Sequence, residues 1–504
     1  MTSPKFKSNA AECDQHQLFP SNVFDLLPKD HDCFVYADIF EHIDTTRIEQ
    51  QYHHLGQHAY HPRHVVSLLI YAYSHGVFSS REIQNKCGQD LAFMYLSQRH
   101  CPNFRVLGDF RKKHLDFFHD CFKQSVKLAL ELKMASLGHI SLDGSKFKAN
   151  TSRHKAMSYG RLKAQESALT DEIDGLIKKA AHCDAQEDDA YKDSNGYSIP
   201  EDLVFKKKRM EKIQSAKKAL EKRETTLNPD QPIEDKKQIS FADHDARIMG
   251  KKGVYDYSYN GQIVVDSDNQ IIVAQHTCQN ANDLQEVDPA LKALEDATGG
   301  RAVNKMSLDN GYFSGTNLEA LDSANIDAYV ATDREEKSAS TSLDASDRKL
   351  VKADFIYHPE GDYFICPAGE TLTASPDSKA QRKSYRAATQ ACKDCAFRSR
   401  CSSSKKQMGR IIRTDKYEPI RQAMNSKMES QQAKEIYARR KVIAEPPFGH
   451  IKNSGFRGFS LRGKEKVAGE FSLVCTAYNF KKIVTAVLMG LVRPKGVKRA
   501  QYAA

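Results

Sequence analysis

From Pro62 apolar residues recur at helical spacing: Val65, Val66, Leu68, Leu69 and Tyr73 make one face, and Gly76 ends it. Ser79 with Glu82 has the form of a capping box and opens a second helix through Cys87. After Pro102 the spacing predicts one long helix carrying Phe104, Leu107, Phe110, Phe117, Cys121, Val126 and Leu130. Arg105, Arg111, Lys112, Lys113 and His114 lie along it. Three or more helices with a basic face suit DNA binding. A helical docking or dimerisation unit fits the same pattern.

Next comes a strand, 138–150, with Ile140, Leu142 and Phe147 as apolar positions and Asp143 at its centre, just before a glycine. Residues 160–228 are charged and carry two helical stripes, Leu169, Ile173, Leu176, Ile177 and Ala180, then Met210, Ile213, Ala216 and Leu220. A turn at Ser194–Pro200 separates them, so an inserted helical hairpin is predicted. From Tyr255 the period changes to two. Gly261–Asp266 and Ile271–His276 flank the turn Ser267–Gln270 and form a strand pair. A helix (Leu284, Val287, Leu291, Leu294) leads to a strand, Ala302–Leu308, that runs into Asp309. A further helix (Leu318, Leu321) and a strand, Ile326–Val330, follow, which makes a mixed α/β layer. Polar residues from Glu335 to Lys349 open a cysteine-bearing insert, and a helical stretch around Glu445 and a basic tail close the chain.

The balance of 75 Lys and Arg against 65 acids, net +10, favours a polyanionic partner. The first residues, MTSPKFKSNAAECDQHQ, lack the apolar core of a signal peptide, and the apolar run Ile483–Val492 is too short to span a bilayer. A cytoplasmic protein with reduced cysteines is therefore expected, and clustered cysteines read as metal ligands before disulfides. Cys392 and Cys395 form one C-x2-C knuckle, Cys401 follows, and Cys366 lies upstream. Those four thiolates could hold a structural zinc, with His358 as a substitute ligand. A standard ribbon has two knuckles, so ordinary reduced cysteines are the other reading.

Two acids gain weight from context: Asp143 and Asp309 each sit on or at the end of a short apolar strand, beside or near a glycine. Glu445 stands apart, one acid among Arg439, Arg440, Lys441, Lys452, Arg457 and Arg462. A salt-bridged surface helix explains that charge pattern, and so does a metal-bound acid flanked by phosphate-binding cations. Pro446 and Pro447 predict a kink or break there. The competing acids are Asp245, Asp266, Asp283 and Glu470. Asp266 reads as a hairpin-turn residue, Asp283 as a helix cap or first-turn acid, and Glu470 as a partner of Lys466.

The order ISLDGSKFKAN, YNGQIVVD, SLDNGYFSG and AEPPFGHIKNSGFRGFSLRGKEKVAGE resembles insertion-sequence DDE transposases, and HPRHVVSLLIYAYSHGVFSSREIQ resembles their InsH-type N-terminal domain. The resemblance implies an RNase H-like catalytic core. It implies Asp143, Asp309 and Glu445 as the metal-binding triad for Mg2+ or Mn2+. It implies Tyr437, Arg440, Glu445 and Lys452 as a signature whose basic members contact phosphates, with Lys441 at the commoner spacing in place of Arg440.

The fold class expected is thus mixed α/β, a helical N-terminal DNA-binding domain plus an RNase H-like core with two inserts. The divisions expected are 1–135 (helical N-terminal domain), 136–159 (first core strand), 160–240 (helical hairpin) and 241–332 (central core). They continue with 333–430 (Cys-rich insert), 431–492 (C-terminal core helices) and 493–504 (basic tail). The function expected is end binding, metal-dependent DNA cleavage and strand transfer. The alternatives are an RNase H-like nuclease without strand transfer and a non-catalytic DNA-binding descendant. The partners expected are double-stranded DNA at element ends and target, and further copies of the chain on that DNA, on the nucleoid and not at a membrane.

Overall fold

The described part of the chain holds thirteen strands and fifteen α-helices. The structure is a computed structural model that describes residues 22–52, 59–152, 156–188, 201–251, 253–332, 349–375, 382–402 and 410–494. The turn expected at Ser194–Pro200, most of the loop from Glu335 and nearly all of the basic tail lie outside the described residues. The chain divides into two compact units, Met1–Phe110 with Phe480–Ala504, and Arg111–Asn479.

The first unit is helical: α1 (Asp32–Phe40), α2 (Thr46–Glu49), α3 (Pro62–Ser74), α4 (Ser80–Gln89), α5 (Leu91–Leu96) and most of α6 (Phe104–Lys113). Pro62 takes the first position of α3, where its missing N–H costs nothing, and Gly76 beyond its end takes φ 77°. Ser79 stands at the N-cap of α4, as the capping pattern predicts, though its side chain makes no cap bond. Val65, Val66, Leu68, Leu69 and Tyr73 are all buried. The long helix expected after Pro102 is two: α7 (Leu115–Glu131) follows α6 after a break at His114. Apolar spacing runs through that break, so periodicity alone does not reveal it.

In the second unit a mixed sheet carries β1 (His139–Lys148), and β2 (Ala156–Ser158) leads into a helical hairpin, α8 (Tyr159–Asp188) and α9 (Glu201–Leu227). The hairpin packs on a small core that includes Leu162, Leu169, Met210, Ile213, Ala216 and Leu220; the second predicted stripe is all in it, whereas of the first Leu169 is in it, Ile173 packs beside it and Ile177 is exposed. Then come β3 (Gln238–Ser240), β4 (Arg247–Lys251), β5 (Val254–Asp266), β6 (Ile272–Cys278), α10 (Val287–Thr298), β7 (Lys305–Leu308), α11 (Gly315–Ser323) and β8 (Asp327–Val330). The main sheet runs β5–β1–β7–β8, with β4 and β6 both paired to β5. β1 is antiparallel to β5 and parallel to β7, and β7 is parallel to β8.

Asp266 is not a turn residue. It is the last residue of β5, fully buried, and its carboxylate accepts from Leu137 N (2.8 Å), Ser136 N (3.2 Å) and Asp268 N (2.9 Å). It fastens the chain entering β1 to the hairpin. Asp266→Ala would orphan three backbone donors and should cost at least about 2 kcal/mol in urea unfolding. An unchanged midpoint would contradict this role.

Residues 349–417 form a feature that the sequence does not announce, a five-stranded antiparallel sheet. Its strands are β9 (Ile356–His358), β10 (Tyr363–Ile365), β11 (Thr371–Ala374), β12 (Lys383–Arg386) and β13 (Ile412–Thr414), with α12 (Arg398–Cys401) alongside. Phe364, Leu372, Tyr385 and Ile412 make its core. α13 (Glu418–Glu429), α14 (Gln431–Asn453) and α15 (Lys464–Leu488) complete the chain. Among the described residues α15 is the one helix long and apolar enough to cross a membrane, and most of its apolar residues are buried.

Candidate active site

Parallel pairing sets Ser141 opposite Ser307 and Leu142 opposite Leu308, so the next residues, Asp143 and Asp309, come side by side where β7 ends. Asp309 caps the following turn, its Oδ1 accepting from Gly311 N at 2.7 Å. Asp143 is mostly covered. Burial pushes its carboxyl up to about 6, Arg440 pulls the other way, and Asp309 and Asp283 add to the rise. A raised pKa means that the native state holds the proton more tightly than the unfolded chain. The stability gained is whole below about pH 4 and is lost as pH rises through 6. Asp143→Asn should therefore gain on the parent by up to about 3 kcal/mol between pH 4 and pH 7. Urea unfolding at both pH values reads this, and parallel curves for the two proteins would refute it.

α14 lies over β1, β7 and β8. It does not break at the prolines: Pro446 and Pro447 are inside a helix unbroken from Gln431 to Asn453. Pro446 cannot donate to the Val442 carbonyl, and Gln270 Nε2 does so instead at 2.9 Å. The backbone N–H that Pro446 lacks is thus replaced by a side-chain donor from the β5–β6 turn.

Arg440 is buried and points inward. Its Nη1 lies 3.8 Å from Asp143 Oδ1 and its Nη2 3.7 Å from Glu445 Oε1. Both contacts are longer than the roughly 2.7–2.9 Å of a charge-assisted hydrogen bond. Its Nε is buried with no hydrogen bond. Glu445 is more than half exposed and meets the other terminal nitrogen of that guanidinium. Of the two candidates for the signature arginine position, Arg440 faces the acids and Lys441 is exposed. Lys452 Nζ donates to Ser145 Oγ and lies 5.0 Å from the Phe147 ring centre. Tyr437 is half-buried and its side chain hydrogen-bonds with Arg440.

The competing acids have other work. Glu470 is buried and accepts from Ser460 N and Leu461 N, at 3.0 and 2.9 Å. Asp245 Oδ2 accepts from Lys464 N. Asp283 does not cap α10, whose N-cap is Glu286. Its Oδ1 accepts from Asn260 Nδ2 (2.8 Å) and Gln262 Nε2 (2.6 Å). Gln262, within YNGQIVVD, is thus a site neighbour that the residue pattern alone did not single out.

Among the basic residues predicted to read DNA, Arg105, Lys112 and Lys113 are exposed, whereas Arg111 is buried and donates to Ser460 Oγ at 3.5 Å. Cys366, Cys392 and Cys401 border the core of the small sheet. Burial, then the Cys395 and Cys366 thiols, push the Cys392 thiol up. Among the described residues no three His, Cys, Asp or Glu side chains are grouped as metal ligands, neither at the cysteines nor at Asp143, Asp309 and Glu445. His358 stacks on Tyr363 at 4.8 Å.

Two family models match the chain. Residues 365–484 match one described as a transposase DDE domain, a span that holds Tyr437, Arg440, Glu445 and Lys452. Residues 21–113 match one described as a transposase domain (DUF772). Comparison with curated proteins and with solved structures gave no match. With one transposase domain model matched near each end and a mixed α/β fold, the two matches support an insertion-sequence DDE transposase.

Proposed function

We propose that the protein binds the ends of its own insertion sequence, cuts the DNA there and joins the freed 3′-hydroxyl to a target. The observation that carries this is the pairing of Asp143 with Asp309 under one strand register, with Arg440 of α14 set between Asp143 and Glu445. The RNase H-like reading draws support from the strand order β6–β5–β1–β7–β8, with β5 antiparallel to a parallel trio.

The donors fit a divalent cation in kind. They are carboxylate oxygens, which hard ions prefer, and they already have a cation beside them in Arg440. Asp143, Asp309 and Glu445 would hold Mg2+ or Mn2+, which when bound supplies charge stabilisation at the attacking and leaving oxygens of a phosphodiester. Arg440 is the group best placed to take a phosphate oxygen once it no longer balances the acids alone. Lys452, held over Phe147, adds charge further along β1, and Tyr437 and Lys441 lie on the same helix. Exposed Arg105, Lys112 and Lys113 are proposed to grip the end duplex, with affinity falling steeply as salt rises. The protein would act in the cytoplasm, on the nucleoid, as an oligomer on DNA.

The test is one incubation of a labelled end duplex, target plasmid, protein and Mg2+. Nicking at the end followed by joining supports the proposal. Nicking without joining leaves a nuclease, and a gel shift without nicking leaves a DNA-binding protein.

A further inference from the structure

β1 ends at Lys148, about 16 Å from Asp143 at the rise of an extended chain. There the loop beyond α14 returns to it. Lys148 N donates to the Arg457 carbonyl at 3.3 Å, and Phe459 N donates to the Lys148 carbonyl at 2.8 Å. A Cβ at Gly458 would lie 2.8 Å from that carbonyl, so only glycine allows the approach. Phe456 and Phe459 are buried against Phe147, and Glu470 accepts from Ser460 N and Leu461 N. The loop is thus held at both ends.

Between the strand end and this loop lies a cleft of about 420 Å3, lined by Lys148, Asn150, Thr151, Ser152, Arg457 and Arg462 with small and aromatic neighbours. Among the described residues three cations line it and no acid does. Arg457 is exposed and, among the described residues, pairs with no acid. Arg462 is aimed by Asn150: its Nε donates to the Asn150 carbonyl at 2.9 Å and its Nη2 to Asn150 Oδ1 at 3.5 Å. Asn150 is itself fixed, its amide donating to the Ser460 carbonyl. Lys148 has an exposed partner in Asp256 at 3.6 Å, a contact of the kind worth little in water. The nearby acids Asp243 and Asp245 accept from Gly463 N and Lys464 N. An arginine fork held in place beside a second arginine and a lysine matches a phosphate.

The cleft also continues a row. Arg440 meets Asp143, Lys452 meets Ser145, and Arg457 and Arg462 meet the end of the same strand. Cations therefore follow one another along β1 from the acids to the cleft. A small free anion would use the cleft alone, whereas a polyanion of repeating charge would use the whole row. We propose that the cleft holds a backbone phosphate of the end DNA, with the strand running along β1 from there to Asp143 and Asp309. About 16 Å is the axial length of roughly five base pairs, which sets the place of that phosphate relative to the cut. For its partner the proposal rests on the reading of the chain as a DNA-cutting enzyme.

The experiment is fluorescence anisotropy of labelled end duplexes with the full-length protein over a range of salt. Arg457→Gln with Arg462→Gln should weaken binding by about tenfold or more and flatten the plot of log affinity against log salt by about one, the share of a single phosphate. Single phosphates of the duplex are then replaced by neutral methylphosphonates. One replacement should cost the parent affinity and cost the double variant nothing, because its contact is already gone. Lys464→Gln with Lys466→Gln removes two charges outside the cleft and should leave the cost of that replacement in place. Arg457→Gln alone breaks no hydrogen bond among the described residues and decides the matter if the double variant does not fold. If every replacement costs variant and parent alike, the cleft does not touch the backbone and the proposal is overturned. If the double variant loses calorimetric binding of inorganic phosphate yet binds the duplex like the parent, the cleft serves a free anion and the proposal is overturned as well. Nicking by the parent is scored separately: a parent that shows the lost replacement effect but never nicks keeps the phosphate site and removes the cutting.

Discussion

Asp309→Asn should bind end DNA like the parent and cut it slower by a factor on the order of a thousand or more. Asparagine keeps the side-chain shape and can still cap the turn, so the Asp309–Gly311 hydrogen bond survives. What goes is a charged oxygen beside Asp143. If that oxygen holds the cation, several kcal/mol of transition-state stabilisation go with it, at about 1.4 kcal/mol per tenfold in rate. DNA binding rests on Arg and Lys elsewhere and has no reason to change. Gel shift and nicking of the same labelled duplex in Mg2+ read the two properties separately. A variant that cuts within tenfold of the parent would place the chemistry away from Asp309.

Phe147→Ala should cost about 3–5 kcal/mol of stability, among the largest effects open to a single substitution here. The ring is fully buried at the end of β1. Four rings surround it with centres 5.6–6.1 Å away: Phe448 from α14, Phe456 and Phe459 from the loop beyond, and Phe471 from α15. Gly261 on β5 makes this possible, since a Cβ there would lie 2.8 Å from Phe471 and 3.1 Å from Phe147. The cluster holds α14 to β1, and α14 carries Arg440, Glu445 and Lys452. Cutting should therefore fall more than the folded fraction does. Urea unfolding together with nicking, measured where both proteins are fully folded, tests this. Full cutting by the folded variant would mean that α14 keeps its seat without the ring.

Long apolar patterns were legible in the sequence. The period of two through Gly261–Asp266 and Ile271–His276 predicts the β5–β6 hairpin, and the stripes in 160–228 predict the helical hairpin. Asp143 and Asp309 stood out because each sits on or at the end of a short apolar strand. The rest depends on contacts made across long separations. Asp283 reads locally as a helix-cap acid, and only folding brings Asn260 and Gln262 to it. Pro446 and Pro447 signal a break, but Gln270 supplies the missing donor from more than a hundred residues upstream. The strands of the small sheet are three or four residues each, too brief for alternation to register. Arg111 carries the same charge as Lys112 and Lys113, and no local rule tells which of the three turns inward.

The unit that opens the chain also uses its final stretch, and this sets an order of events at the ribosome. Phe480 packs its ring against Phe40 at 5.6 Å, and Lys481 Nζ donates to the Ser74 carbonyl at 3.0 Å. Residues 111–479 are made between the two halves of this core. At elongation speeds of about 5–20 residues per second that takes roughly 20–70 s. During that interval α1 and α3 have emerged while the surface due to receive Phe480 is still bare. A polypeptide that stops anywhere before Phe480 loses more than α15: the helices made first never receive the piece that closes them.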